Sequence, residues 1–425
     1  MGAGVKPKDA ALATELTLGV LRWRRLLDFL LGGQLKKPVA RLDLEVAIAL
    51  RIGLYQLRFL EKIPVRAAVN ESVELVKRAR KSSAASLVNA VLRRLADEAK
   101  RPAEEIVPQN LPCAERLAIL HSHPTWIVER WMARNGEART IALLEANNRT
   151  PRLSGAFHVS DNREAVIHAL EKAGLRVEPG ALLASAYAVS GGSPSRTEAF
   201  RTGWISIQDE ASQAIPLLLD VHAGDRVLDL CAAPGGKTPP LVRAAGARGV
   251  VVATDRHAHR IRAMRSQFER LGLSGVELVE LDAACGLPFR PAFDRILVDA
   301  PCSGTGTLAR HPEIRWRLEP SQLPELHGLQ VAMLGAALEK LARGGRLVYS
   351  TCSMEPEENE DVVAEVFSGI NGISRVPTSE ATHTLGPHLA PGAEAKKLFD
   401  DRGQFRTFPG EQPTDGFFAA ILQEE

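Results

Sequence analysis

The sequence predicts a multidomain protein: an all-α bundle over residues 5–135, a small α+β module over 140–207, and an α/β domain with a doubly wound, largely parallel sheet over 208–425. Three observations predict it. Apolar residues recur at helical spacing from Leu12 to Leu95, short alternating segments replace them between Pro151 and Ile207, and apolar strands alternate with helices from Asp225 onward. A chain of 425 residues also exceeds one ordinary core and suits two or three domains of about 150 residues each.

In the first region the stripe Leu12, Leu16, Val20, Trp23, Leu27 and the stripe Val46, Leu50, Leu54, Leu57 mark two amphipathic helices. "GGQLKKP" and "EKIP" break the period with Gly and Pro and serve as turns. The run Lys77 to Lys81, "KRARK", lies between two such helices. A further helix, "SHPTWIVERWMARNG", finds its stop at Gly136. The middle module carries one helical stretch, Arg163 to Ala173, and the turn-rich cluster "SGGSPSRTEAF". The last region reads "RVLDL", a Gly-rich loop and helix, "GVVVATD", a helix from His257 to Leu271, "VELVEL", "RILVDAP", a long helix from Ser321, and "GGRLVYSTC". Strands that are apolar throughout are covered on both faces, as in parallel sheets, and such sheets bind ligands at the carboxyl ends of their strands.

Composition narrows the function. With 45% hydrophobic and 24% charged residues and no apolar run of membrane-spanning length, no membrane segment is expected. "MGAGVKPKDA" lacks an apolar leader core and has Lys6 where a myristoylation motif wants Ser or Thr, so a cytoplasmic protein is expected. The five cysteines form no CxxC pair and no Cys/His cluster, which disfavours disulfides and structural zinc; no metal is expected. Residues 1–150 hold 25 Lys and Arg against 16 Asp and Glu, a surplus of nine, although the whole chain carries only +2. That asymmetry favours a polyanionic partner for the front.

The chemistry-bearing motifs fall at strand ends. In "DLCAAPGGKT", Asp229 to Thr238, glycines permit close backbone approach and a helix N-terminus follows. A nucleotide-binding P-loop would need Gly where Cys231 stands, which argues against an NTPase. Asp255, some twenty residues on, suits the two hydroxyls of a ribose, and Asp282 suits the amine of an adenine, so a nucleoside-containing cofactor fits. "DAPCSGTGTLARHPEIRWR" offers Asp299 for the edge of a base and Arg310, Arg315 and Arg317 for a phosphate backbone. Cys302 and Cys352 end two separate strands on one edge, and position alone does not rank the two thiols.

"DLCAAPGGKT", "DAPCSGTG", "GGRLVYSTCSMEPEENE" and "TDGFFAAIL" resemble the RNA cytosine-5 methyltransferases of the Sun/RsmB type. "ALATELTLGVLRWR", "GLYQLRFLEKIPVRAAVNESVELVKRA" and "VNAVLRRL" resemble their NusB-like RNA-binding domain, with Lys77, Arg78, Arg80 and Lys81 as RNA-binding candidates. The resemblance makes residues 140–207 a small RNA-binding module as well, but it is weakest there, where "PRLSGAFHVSD" stands, so no particular RNA contacts are carried over to it. It implies a Rossmann-like domain in which Cys231, Ala232, Ala233, Pro234, Gly235, Gly236 and Lys237, with Asp255, Asp282 and Asp299, hold S-adenosyl-L-methionine. It also implies Cys352 as nucleophile, Cys302 in product release or as general base, and Asp299 beside the target base. The implied partner is RNA, small-subunit rRNA foremost, with no membrane and no obligate protein partner.

A thiolate suits this reaction because carbon 5 of cytosine becomes nucleophilic only after addition at carbon 6. The acidic run Glu355 to Asp361 is an awkward neighbour for such a thiolate and is expected to start the next helix, with Pro356 in the first turn. Three alternatives stay open: a DNA cytosine-5 methyltransferase attacking with Cys302, a non-enzymatic NusB-like RNA-binding factor, and a protein methyltransferase.

Overall fold

The structure is a computed structural model that describes residues 6–158 and 162–425. The expected bundle start at Val5 and the end of "PRLSGAFHVSD", Val159–Asp161, lie outside the described residues. The chain divides into two compact units. One runs to Arg149 and also takes Leu308–Arg317; the other holds Thr150–Thr307 and Leu318–Glu425.

The first unit is helical, with Pro7–Gly32, Leu44–Phe59, Val65–Arg78, Ala85–Glu98, Cys113–Leu120, Thr125–Asn135 and Glu137–Asn148 as its main helices. Leu27, Leu50 and Leu54 from the two predicted stripes are fully buried with Val76, Val91, Leu92 and Leu95 in one core. Leu12 is 42% exposed, because that helix is covered only from about Gly19 onward. Gly136, at φ 74°, closes one helix and opens the next, so the helical unit outruns the expected boundary at 135 and residue 140 lies inside a helix.

Leu308–Arg317 corrects one expected role. Arg315 is only 1% exposed. Its guanidinium donates to the carbonyls of Arg22 (3.3 Å), Ser122 (3.1 Å), Asn147 (3.1 Å) and Leu308 (3.4 Å) and to Asn148 Oδ1 (3.0 Å). Trp316 Nε1 donates to the Leu21 carbonyl at 2.6 Å, and Arg22 donates to the Ala309 carbonyl at 2.8 Å. Arg315 is therefore an internal strap and is not presented to a phosphate backbone; Arg310 is half-buried and Arg317 exposed.

The second unit has two sheets. In the smaller, β1 (Leu153–Phe157), β2 (Arg176–Pro179), β3 (Ala186–Ser190) and β4 (Ile205–Ile207) pair antiparallel in the order β2-β3-β1-β4, with the helix Arg163–Lys172 packed through Val166 and Leu170. Buried Glu210 joins this module to the rest by accepting from the backbone of Ala181, Leu182 and Leu183 at 3.0, 2.7 and 3.0 Å.

The larger sheet contains β5 (Arg226–Leu230), β6 (Val250–Asp255), β7 (Val276–Glu280), β8 (Phe293–Asp299), β9 (Leu341–Thr351), β10 (Ile373–Arg375), β11 (Phe405–Thr407) and β12 (Phe417–Glu424). The order is β10-β12-β9-β8-β5-β6-β7, with β11 also on β12. β5 to β9 run parallel and β12 antiparallel to β9, which matches the largely parallel sheet expected. Strand order reverses about β5, so the crevice between the carboxyl ends of β5 and β8 is the topological switch point. No helix among the described residues is long and apolar enough to cross a membrane.

Removing the Arg315 strap leaves several buried acceptors unpaired. Arg315→Ala is expected to lower stability by about 3 kcal/mol or more, whereas exposed Arg317→Ala stays within about 0.5 kcal/mol. Denaturant melts of both variants check this.

Candidate active site

The loop after β5 leads Cys231, Ala232, Ala233, Pro234, Gly235, Gly236 and Lys237 into the helix Thr238–Ala245. Cys231 takes a left-handed conformation at φ 57° and Gly235 has φ 91°. A side chain at Gly235 would also meet the Phe268 ring at 2.8 Å, so the loop requires glycine there for two reasons. Asp229 and Thr238 brace the loop from beneath, Thr238 Oγ1 donating to Asp229 Oδ2 at 2.7 Å. Burial pushes the Asp229 carboxyl up to about 7 against the opposing hydrogen bond from Thr238.

Asp255 closes β6 and is buried; its Oδ1 accepts from the His257 backbone at 2.9 Å, and Arg260 lies 3.7 Å from Oδ2. Asp282 follows β7 and accepts from the Ala284 backbone at 3.0 Å. Each aspartate thus caps its local turn through one oxygen. The strand ends form an acidic edge. The Cys231 thiol registers it: burial, then the charges of Asp299, Asp255, Asp229 and Asp282, push it up to about 12. Cys231 is therefore an inert thiol at the loop. Carboxylates at these positions fit a ligand that has a ribose diol, an adenine amine and a positive sulfonium, and the donor set passes as a site for S-adenosylmethionine.

Asp299 ends β8 and joins the cofactor loop to the cysteine strands. Lys237 Nζ pairs with its Oδ2 at 2.6 Å, and Ser350 Oγ donates to its Oδ1 at 2.9 Å. Lys237 therefore stands with the acid beside the thiols, whereas the sequence placed it only in the cofactor loop. Burial alone would lower this ammonium, but the charge and hydrogen bond of Asp299 and the charge of Cys352 outweigh it, and the net shift is upward. Its charge also lies 5.3 Å from the centre of the Phe417 ring.

Cys302 follows β8, Cys352 follows β9, and their sulfurs are 3.4 Å apart as free thiols. The hydrogen bond to Cys352, burial, the charge of Cys352 and the charge of Glu358 together push the Cys302 thiol well up. The acidic run divides differently from expectation. A short 3-10 turn, Pro356–Glu358, precedes the helix Glu360–Gly369, and Glu355 and Glu358 are buried instead of decorating a helix start.

The structure thus unites Lys237, Asp299, Cys302 and Cys352. Arg310, Arg315 and Arg317 fall in the helical unit, as do Lys77, Arg78, Arg80 and Lys81. Lys77 pairs with Glu74 at 2.8 Å and Lys81 with Asp43 at 2.7 Å, while Arg78 and Arg80 are exposed. Sequence reasoning missed Ser350, Phe417 and Glu358. One signal was available: each site cysteine is followed by serine, as Cys302-Ser303 and Cys352-Ser353.

Three family descriptions match the chain: "16S rRNA methyltransferase RsmB/F" over residues 216–423, "NusB family" over 2–97, and "Methyltr_RsmF/B-like, ferredoxin-like domain" over 123–194. The chain is 36% identical to the ribosomal RNA small subunit methyltransferase B of Pseudomonas putida, over 90% of this chain and 87% of that protein. It is 32% identical to the probable ribosomal RNA small subunit methyltransferase B of Bacillus subtilis, over 98% and 91%. A solved methyltransferase homolog protein from Pyrococcus horikoshii superposes with a TM-score of 0.61 at 29% identity, covering 74% of this chain and all of that one.

A carboxyl with a folded pKa raised to about 7 favours the fold while protonated, and that contribution is lost as pH rises from the unfolded value of about 3.9 through about 7. Asp229→Asn is expected to flatten this part of the pH–stability curve. It should gain on the native protein at neutral pH by up to about 4 kcal/mol, at about 1.4 kcal/mol per unit. Thermal melts between mildly acidic and neutral pH read the difference.

Proposed function

The chain belongs to the 16S rRNA methyltransferase RsmB/F family, and from that premise we propose how its residues methylate carbon 5 of a cytosine in RNA. The protein is an S-adenosylmethionine-dependent RNA methyltransferase, and its target is a cytosine of small-subunit rRNA in the cytoplasm. The observation that carries the assignment of roles is the thiol pair 3.4 Å apart beside the Lys237–Asp299 ion pair, at the carboxyl edge of the parallel sheet.

In this reading residues Cys231–Gly236, Asp255 and Asp282 hold S-adenosylmethionine, with Asp255 toward the ribose and Asp282 toward the adenine. Bound there, it would supply an electrophilic methyl group to carbon 5 of the base, the sulfonium sulfur keeping the electron pair of the broken bond. Cys352 is the nucleophile: its thiolate forms a sulfur–carbon 6 bond, and the electron pair of the 5,6 double bond moves toward carbon 5. Lys237 favours this thiolate by its charge, and Asp299, held by Lys237 and Ser350, faces the base and steadies charge developing on its ring. A base then removes the hydrogen from carbon 5, the pair returns to the double bond, and the Cys352 thiolate leaves. Cys302 serves this release, passing its proton to the departing Cys352 sulfur and taking the hydrogen of carbon 5 in its place. The Lys237 ammonium, paired with Asp299 and bearing on Cys352, supports Cys352 as the attacking group over the DNA-type arrangement.

The helical unit is the RNA-holding part, in keeping with its basic surplus and the NusB family match, with Arg78 and Arg80 as exposed candidates. An RNA-binding factor without activity is disfavoured by the assembled thiol and ion-pair cluster.

With RNA that carries 5-fluorocytosine, elimination is blocked and the adduct persists. Cys352→Ala is expected to form no adduct, whereas Cys302→Ala still traps RNA; gel shift under denaturing conditions reads both, and the reverse pattern overturns the assignment. Bisulfite mapping of small-subunit rRNA from cells with and without this gene is expected to lose one 5-methylcytosine. An unchanged map would refute the rRNA target and leave the reaction type standing.

A further inference from the structure

Glu358 lies six residues beyond Cys352 and is 0% exposed. An isolated buried carboxylate is strongly disfavoured, so the donors around it carry information. Its Oε1 accepts from the Ser303 backbone at 2.7 Å and from Gln330 Nε2 at 3.1 Å. Its Oε2 accepts from the hydroxyls of both Ser303 and Ser353. These two serines directly follow the two site cysteines. A single carboxylate therefore ties together the residues next to both thiols.

The surrounding bonds make this brace a closed frame. Gln330 Nε2 also donates to the Pro301 carbonyl at 2.9 Å, so Cys302 is held from the residue before it and the residue after it. Asn359 accepts from Thr351 Oγ1 at 2.5 Å and donates to the Ser353 carbonyl at 2.9 Å, which flanks Cys352 in the same way. Tyr349 donates its hydroxyl to the Glu358 carbonyl at 2.6 Å. Gly306 donates to the Cys352 carbonyl at 2.9 Å, and a side chain there would strike Gly416 at 2.2 Å. Neither cysteine loop can swing away without stranding a buried charge.

We propose that Glu358 is a positioning residue that selects the nucleophile: it braces the Cys302 loop against the Cys352 loop, keeping Cys302 as the hydrogen-bonded partner of Cys352 instead of a competing attacker. The inference rests on the reading that Cys352 attacks. The electrostatics point the same way, since the hydrogen bond to Cys352, burial and the charges of Cys352 and Glu358 all push the Cys302 thiol up. Glu358 is not a catalytic residue, because its oxygens contact only the brace.

The test compares Glu358→Gln with Glu358→Asp in the full chain, using calorimetric S-adenosylmethionine binding and a cooperative melt to establish folding. For Glu358→Gln the expected result is a kcat lower by roughly 10- to 100-fold with KM for RNA and cofactor nearly unchanged, the signature of misplaced reacting groups. In the same variant, without RNA, Cys302 should become alkylated by iodoacetamide at lower pH than in the native enzyme, as followed by peptide mass mapping. Glu358→Asp, which keeps the charge, should recover part of both. Native kcat and an unmoved Cys302 alkylation profile in Glu358→Gln overturn the proposal. So does a loss of activity that tracks loss of cofactor binding and of the melt in both variants. Should the native enzyme form its adduct elsewhere than Cys352, the reading of the nucleophile fails, whereas the alkylation profile still reports the brace on its own.

Discussion

Parallel pairing of β8 with β9, with Asp299 opposite Ser350 and Val298 opposite Tyr349, sets the positions of Asp299 and the two neighbouring thiols. Because the strands run the same way and stop at the same level, the loops that leave them emerge side by side. Cys302, three residues past Asp299, and Cys352, two past Ser350, then meet at 3.4 Å. A slip of one residue would turn each side chain to the opposite face of the sheet and separate them. The antiparallel partner β12, with Phe418 opposite Thr351, locks β9 from its other side and brings Phe417 to Lys237.

The same geometry gives the site two electrostatic compartments. Toward β5, β6 and β7 the strand ends are acidic, which suits a cationic sulfonium ligand and makes Cys231 inert. Toward β9 the one buried ammonium, among the residues described at the site, is Lys237, placed between Asp299 and the influence of Cys352. The carboxylates of the "EPEEN" segment sort as well. Glu358 turns inward onto the serines, where its charge bears on Cys302. The apparent conflict between a thiolate and an acidic run is eased because Glu358 acts on the partner thiol and its carboxylate is held by four hydrogen-bond donors.

Chain threading adds a further economy of structure. The segment that follows the Cys302 loop, Leu308–Arg317, is part of the helical unit's own packing, and its most basic-looking member is an internal hydrogen-bond hub. A buried arginine whose terminal nitrogens donate to carbonyl oxygens contributes to folding and is withheld from the surface, whereas Arg317 is exposed.

Periodicity and strand-end motifs are local properties, and for that reason the sequence alone determined the three textures, the parallel sheet, the Gly-rich loop after β5, and the placement of Asp299, Cys302 and Cys352 at strand ends. The helix Arg163–Lys172 and the helix Gln322–Leu338 were legible on the same ground. What local pattern cannot encode is the partner of a polar side chain, since that depends on register and on residues distant in the chain. Only the tertiary structure decided that Lys237 pairs with Asp299 across 62 positions, that Arg315 is buried among carbonyls more than 150 residues away, and that Glu358 braces Ser303 as well as Ser353. Each of these charges looked like surface or loop in sequence, because burial of a charge becomes tolerable only where folding delivers its counter-groups.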